Sequence, residues 1–176
     1  IRNILQSLRE TMRSNQTSQK MSEKEKKRAI DWPTFVKRYK SWSRRLPTWG
    51  KINWKSLQRF VIISCYVLNP PLRLDLYNLS SSQIKGGNWI DWNEKKFVLN
   101  EFKTKNKFGT ARIPIGTALF RILKRWAKLR QTMDQTDVMF LTNNMRPFSR
   151  NTFGKLLGSI IYEIMNKKAT VVDLRK

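Results

Sequence analysis

Arg73 is the residue of this chain best placed to bind an anion. It follows an apolar run that ends at Leu68 and the dipeptide Pro70-Pro71, and it begins the next predicted element. Because proline restricts the backbone and a guanidinium donates in a planar fork, an arginine held there can bind a phosphate with little loss of conformational freedom. Taken alone, the same arginine is also explained as one partner of a surface ion pair.

The net charge indicates which anion to expect. The 176 residues include 36 lysines and arginines and only 12 aspartates and glutamates, for a formal net charge of +24. Such a chain favours a polyanionic partner, with nucleic acid first and an acidic membrane surface second. Since 40% of the residues are hydrophobic and 11% are aromatic, the sequence predicts a folded basic protein rather than a disordered basic tail.

Two groups of basic residues are candidates for contact with nucleic acid. No acidic residue occurs from Phe102 to Met133, and the basic residues of that stretch are Lys103, Lys105, Lys107, Arg112, Arg121, Lys124, Arg125, Lys128 and Arg130. We predict that Lys105, Lys107 and Arg112 form a cationic hairpin that binds the phosphate backbone. The alternative is that these side chains only solvate a turn and a helix face. The second group is Arg44 and Arg45. The tryptophans of the chain are predicted to be mostly core residues, and the alternative for Trp42, Trp49 and Trp54 is a DNA-facing surface beside these arginines.

Several kinds of site are excluded by composition. The chain has no histidine and one cysteine, Cys65, which lies in an apolar run and is predicted to be buried. The chain therefore lacks the ligands of the usual zinc sites and the histidine base of a Ser-His or Cys-His nucleophile pair. No apolar stretch approaches the length of a membrane span and no signal peptide is visible, so we expect an intracellular protein without a membrane, metal, cofactor or small-molecule partner.

The pattern along the chain predicts a helical arm followed by a mixed domain. Residues 1–29 are polar, and Ser22 with Glu25 fits a capping box at a helix start. Asp31 is a candidate cap for a helix near Trp32 to Trp42, and the sequence from Leu46 to Gly50 breaks the pattern.

Beyond residue 50 the period changes from helical to alternating and back. The predicted elements are a helix at 54–67, a helical turn at 72–79, strands at 88–92, 96–103 and 110–115, a helix at 117–130, a short buried strand or extended segment at 138–141 and a last helix capped by Ser149. Turns are predicted at 93–94 and 106–109, and Pro114 favours an edge position for the third strand. The predicted fold is α+β and mainly helical, with a three-stranded antiparallel meander.

Three landmarks in this order resemble the catalytic domain of tyrosine recombinases, the phage-integrase superfamily. The first is an arginine that begins a helix, with an acidic residue two positions on, as in Arg73 and Asp75. The second is a hairpin lysine, in Phe102-Lys103-Thr104-Lys105, before the strand Arg112-Ile113-Pro114-Ile115. The third is Leu174-Arg175, where the family normally has His-x-x-Arg.

The resemblance covers roughly residues 54–176 and implies a domain division. Residues 1–50 would be a helical arm or linker, with the end of a core-binding domain as one interpretation, and residues 51–176 a C-terminally incomplete catalytic domain. The motif Pro-Pro-Leu-Arg-Leu-Asp most resembles the corresponding sequence in the integrase-like recombinases of large DNA viruses, virophages and related transposons. If the protein is viral, a nuclear location or a viral replication site follows.

The resemblance also implies a chemistry and a set of catalytic residues. Arg73 and Arg175 would stabilise the charge that develops on a phosphate of double-stranded DNA, and Lys103 would protonate the departing 5′-hydroxyl, with Lys105 as the competitor. A tyrosine would become linked to the 3′-phosphate before the strands are rejoined. Recombination in this family needs no cofactor and is carried out by protomers that assemble on DNA.

Two departures from the family pattern limit this expectation. Val172 stands where the family usually has histidine, and Tyr39, Tyr66, Tyr77 and Tyr162 all precede the Leu-Arg landmark that the family nucleophile follows. We therefore expect this chain to bind DNA without cleaving it. The alternative function is a non-catalytic DNA-binding accessory protein with a recombinase-like body. An RNA-binding or ribosome-associated protein would fit the charge but would not explain Arg73, Lys103 and Arg175 together.

Overall fold

The computed structural model describes residues 26, 28–46, 50, 53–70, 72–102, 105–133, 136–171 and 173–174. In chain order the elements are α1 (Trp32–Arg44), α2 (Trp54–Val67), a 3-10 turn (Leu74–Leu76), β1 (Trp89–Asp91), β2 (Lys96–Leu99), α3 (Lys105–Phe108), β3 (Ala111–Pro114), α4 (Thr117–Met133) and α5 (Arg150–Met165). This order confirms the predicted α+β class with a three-stranded meander. The helix predicted from Ser22 and Glu25 lies outside the described residues.

Side-chain caps determine where three of the long helices begin. The Asp31 carboxylate accepts a hydrogen bond from the Thr34 amide at 2.9 Å, and the Asn53 side chain accepts one from the Ser56 amide at 2.9 Å. Ser149 and Thr152 form a reciprocal capping box at the start of α5. Each cap satisfies an amide that would otherwise lack an intrahelical partner. The caps predicted at Asp31 and Ser149 are therefore confirmed, and α2 has the predicted bounds.

The sheet is antiparallel, with β2 between β1 and β3. Ile90 pairs with Phe97, and both side chains are buried against the core. Pro114 lies in the edge strand β3, where a missing amide donor is tolerated. Strand β2 ends at Leu99, earlier than predicted, because the Asn100 and Glu101 amides donate to the Asn88 side chain instead of a neighbouring strand. Residues 106–108 of the predicted turn belong to the short helix α3.

Helix α2 is the centre of the core. It contacts α1, α4 and α5, and all seven residues from Val61 to Val67 are buried. Its second half is covered on all sides and has no polar face, so the periodicity of the helix shows only part of the buried surface. Cys65 is fully buried, as predicted, and burial raises the pKa of its thiol.

Helix α1 packs against this core rather than standing away from it. The Tyr39 hydroxyl lies 2.7 Å from the Ser64 hydroxyl of α2, and the Trp42 indole donates to Glu163 of α5 at 2.9 Å. Trp42 is only 7% exposed, so the alternative that it lines a DNA-facing surface is wrong. The apolar ring gains more free energy in the core than on the surface. The division into an arm and a catalytic domain near residue 50 stays a prediction.

Burial and pairing define two further features of the fold. Residues 138–141 are the extended segment of the two predicted alternatives, since Val138 and Leu141 make isolated bridges with Ser80 and Pro147. Arg130, one of the basic residues of the 102–133 stretch, is 3% exposed. Its guanidinium donates to the Val138 carbonyl at 3.1 Å, which makes it a structural residue of the core.

Candidate nucleic-acid interface

The backbone of Arg73 is anchored to the core. Arg73 is the N-cap residue of the 3-10 turn, and its carbonyl accepts a hydrogen bond of 2.9 Å from the Tyr66 hydroxyl of α2. Tyr66 is fully buried, and burial raises the pKa of its phenol well above the ordinary value. The Arg73 residue itself is partly exposed. The fold therefore holds the main chain of Arg73 in place and leaves its cationic side chain partly accessible.

Arg150 is a second cation beside this turn, and the sequence reasoning missed it. Its guanidinium lies 3.2 Å from the carboxylate of Asp75, whose side chain is 6% exposed, whereas the Arg150 side chain is 47% exposed. The Asp75 carbonyl also accepts a hydrogen bond of 2.7 Å from Asn88. The cap at Ser149 could have placed Arg150 on the first turn of α5. Nothing local in the sequence pairs it with a carboxylate 75 residues away.

One face of α5 holds two segments that carry landmark residues. A Cβ atom placed on Gly154 would lie 3.2 Å from the Leu74 side chain, and one on Gly158 would lie 3.6 Å from the Ala169 carbonyl. Residues four apart in a helix lie on the same face, about 6 Å from each other. The 3-10 turn after Arg73 and the chain at Ala169 therefore pack on adjacent turns of one helix face.

The chain from Ala169 to Leu174 forms a compact turn. The amide and the hydroxyl of Thr170 both donate to the Asp173 carboxylate at 2.8 Å. Leu174 is 5% exposed and belongs to the core. Half of the Leu-Arg landmark is thus anchored in the core. Arg175 itself, Val172 and Lys103 lie outside the described residues, so the roles predicted for them stay predictions.

The cationic hairpin has a helical tip instead of a simple turn. Lys105 and Lys107 lie in α3 and are exposed, and Gly109 ends this helix with a φ of 68°. The Arg112 side chain in β3 is 54% exposed and lies 3.9 Å from the Glu94 carboxylate, which also pairs with Lys96 at 2.8 Å. The lysines of the tip are exposed to solvent. Glu94, in the turn between β1 and β2, partly compensates the charge of Arg112.

Arg44 and Arg45 are exposed at the end of α1, away from the Arg73 turn. Helix α1 contacts α5 at Glu163, whereas Arg150 is the first residue of that helix. The 13 residues between them span about 20 Å at 1.5 Å per residue. Arg44 instead shares a shallow groove on α1 with two further cations; the groove is lined by Pro33, Val36, Lys37, Lys40, Ser41 and Arg44. The structure therefore places the predicted basic residues in separate regions.

The described residues contain no group of three acidic, cysteine or histidine side chains arranged to hold a metal ion. Within the same part of the chain, no helix has the length and apolar character needed to cross a membrane.

The described helices and the three-stranded antiparallel sheet form a mixed α+β fold that a solved recombinase shares. The crystal structure of XerA recombinase matches this chain with a TM-score of 0.56 and 18% sequence identity. The match covers 88% of this chain and 45% of the XerA chain, so this chain spans less than half the length of that recombinase. At this identity the likeness shows a shared fold. No family model and no curated protein matches the sequence.

Proposed function

We propose that this chain is part of a DNA-binding site-specific recombinase or integrase, which in its complete form cuts and rejoins DNA through a 3′-phosphotyrosine intermediate. The observation that carries the proposal is the position of Arg73 within a recombinase fold. Arg73 begins a turn anchored by Tyr66, and that turn packs beside the segment that leads to Leu174.

The electrostatics support double-stranded DNA as the partner. The formal net charge of +24 greatly exceeds what a fold of this size needs for solubility, and Lys105, Lys107 and Arg112 are exposed on a projecting hairpin. Cations on such a hairpin can follow the phosphate backbone without reading base sequence. The hairpin would supply affinity, and the anchored turn would supply the geometry for chemistry.

The proposed reaction is a phosphoryl transfer in two steps. A tyrosine loses its phenolic proton to solvent as its oxygen attacks the phosphorus, the bond from phosphorus to the 5′-oxygen breaks, and that oxygen takes a proton from Lys103. Arg73 and Arg175 stabilise the negative charge on the non-bridging oxygens. A 5′-hydroxyl then attacks the phosphotyrosine and returns its proton to Lys103, which restores the DNA strand and releases the tyrosine oxygen to take up a proton from solvent. The bond energy is retained throughout, so the cycle needs no nucleotide or other cofactor.

Several finer points belong to the same proposal. They are self-association on DNA, kinship with the recombinases of large DNA viruses, virophages and related transposons, and an intracellular location where DNA is accessible. Val172, in place of the family histidine, favours the second candidate, a non-catalytic DNA-binding accessory protein. The two candidates differ in one measurable respect, the formation of a covalent bond to DNA.

A covalent trapping experiment separates them. The full-length protein is incubated with a nicked half-site duplex that loses its 5′-hydroxyl strand after cleavage, and the products are resolved under denaturing conditions. A recombinase leaves a protein-DNA adduct, and Arg73→Ala removes it while the duplex is still bound. Binding of the duplex without any adduct would establish the accessory function, and no binding at all would exclude both.

The role of Lys103 has a sharper chemical test. Lys103→Ala is expected to form almost no adduct with an ordinary duplex, because the 5′-oxygen leaves poorly without a proton. A duplex with sulfur in place of that oxygen should restore adduct formation, since a thiolate leaves without protonation. Lys105→Ala is the matched control, and rescue of Lys105→Ala instead would assign the acid to Lys105.

A further inference from the structure

A groove with an exposed aromatic side chain lies further along the face of α5 that packs beside Arg73. Gly154 and Gly158 are covered by neighbouring segments, and the next residue at this spacing, Tyr162, is 49% exposed. The groove has a volume of about 250 Å³ and is lined by Arg28, Gly158, Tyr162, Lys168, Ala169 and Thr170. It thus begins at Gly158, where the segment that leads to Leu174 crosses α5.

Two hydrogen bonds hold the walls of this groove together. The Lys167 ammonium donates to the Ala29 carbonyl at 2.6 Å, and the Arg38 guanidinium donates to the Met165 carbonyl at 2.8 Å. Asn166 ends α5 in the left-handed region, with a φ of 51°, where the chain leaves the helix axis. These contacts fix Arg28 and Lys168 at the groove.

The groove is positively charged. Arg28 and Lys168 are exposed, and neither forms an ion pair with another described residue. The described carboxylates that lie close to Arg28 or Lys168 in the sequence make other contacts, and Asp31 accepts a hydrogen bond from the Thr34 amide as the cap of α1. Glu163 pairs with Arg59 of α2 at 2.7 Å, and the Asp173 carboxylate accepts from Thr170. The two cations are therefore available to an anionic ligand.

We infer that this groove binds the sugar-phosphate backbone of the same DNA that Arg73 contacts, an inference that rests on the proposed function. Arg28 and Lys168 bind phosphates, and the Tyr162 hydroxyl donates to a phosphate oxygen while its ring covers the adjoining sugar. The eight residues from Gly154 to Tyr162 span about 12 Å, which matches three to four nucleotide steps of about 3.4 Å along the duplex axis. The groove would hold the strand a few nucleotides from the reacting phosphate.

The contact with DNA can be measured by the salt dependence of binding. A fluorescent duplex is titrated with the protein at several salt concentrations, and the slope of log K against log salt is compared between variants. Arg28→Gln and Lys168→Gln should each reduce the slope by about 0.9, because each removes one phosphate contact. Tyr162→Phe should weaken binding about two- to tenfold without a change of slope, because it removes a hydrogen bond and no charge.

Lys85→Gln, which removes an exposed charge from the loop before β1, is the matched control and should leave slope and affinity unchanged. If the wild-type protein binds and all three groove variants bind as it does, the inference is overturned while the proposed function stands. If the wild-type protein does not bind duplex DNA, both fail. If Tyr162→Phe changes the sedimentation mass instead of DNA affinity, the groove is an interface between protein chains and the inference is again overturned.

Discussion

The Arg73 turn and the tip of the hairpin at α3 present cations in two different ways. At the Arg73 turn the contacts come from outside the turn, since Tyr66 lies in α2, Asn88 lies just before β1, and Arg150 lies in α5, 75 residues from its partner Asp75. At the hairpin tip the described contacts are local, such as the hydrogen bond of 2.7 Å between the side chains of Thr110 and Asn100. The first region is built into the core, and the second projects from it.

Under the proposed function, the two regions suit two different roles on DNA. A group that must stabilise charge on a reacting phosphate acts best when it is held in place before the substrate binds. Cations that only follow the backbone of DNA can adapt to it at low cost, because phosphate contacts need little directional precision. Variants that remove core contacts of the Arg73 turn should therefore change stability, and substitutions of the exposed lysines at the tip should change DNA affinity alone.

The largest effect is expected from Leu76→Ala. Leu76 lies in the 3-10 turn and is fully buried, so its truncation leaves a cavity and should lower the free energy of unfolding by about 2–5 kcal/mol. Urea denaturation measures the loss. Lys105→Ala at the exposed tip is the control and should change the free energy by less than about 0.5 kcal/mol. Equal losses for the two variants would contradict the comparison.

A second test uses alkaline pH and Tyr66. Burial raises the pKa of this phenol, so the folded state keeps its proton where the unfolded state loses it. The stabilisation is complete below pH of about 10 and decreases as pH rises further, by at most about 1.4 kcal/mol per pH unit. Tyr66→Phe should unfold with a shallower dependence on pH, although it loses about 1 kcal/mol at neutral pH with the hydrogen bond to Arg73.

Equilibrium unfolding at several pH values checks the result, with Tyr162→Phe as the exposed control. A Tyr66→Phe variant with the wild-type dependence on pH would show that the Arg73 carbonyl is not held by a buried phenol.

A smaller effect is expected at the end of the hairpin tip. Gly109 has a φ of 68°, and no atom lies within 4 Å of a Cβ placed there. Gly109→Ala should therefore cost about 1 kcal/mol through backbone strain alone. Gly50→Ala, where a Cβ also meets open space and φ is not positive, should be close to neutral in the same thermal unfolding experiment. A neutral Gly109→Ala would mean that the tip does not depend on this backbone conformation.

The smallest change in stability is expected from Lys105→Gln, whose effect should appear only in DNA binding. Loss of one phosphate contact reduces the slope of log K against log salt by about 0.9 and leaves the unfolding curve unchanged. Lys85→Gln, in an exposed loop before β1, is the control for removal of one charge. If the two variants have the same slope, the hairpin tip is not part of the DNA interface.

Much of the fold was predictable because its signals are local. Caps at Asp31 and Ser149, a break at Pro70, and a change of period after Gly87 locate the helices and strands to within a few residues. The prediction for the hairpin tip was wrong in one respect. Residues Lys105 to Phe108 form a helical turn, although Gly109 has the positive φ that a turn residue needs. Short helices and turns share the same residue types, so composition alone does not separate them.

The sequence by itself determined the α+β class, the excess of positive charge and the position of Arg73 at the start of an element, because these depend on composition and on neighbours within one turn of helix or one pair of strands. Only the tertiary structure decided that Arg150 pairs with Asp75, that Trp42 is buried and that Leu74 packs against Gly154. Those contacts join residues far apart in the chain, and each depends on how whole helices pack against α2 and α5. The spacing of apolar residues along one helix does not indicate which other helices pack against it.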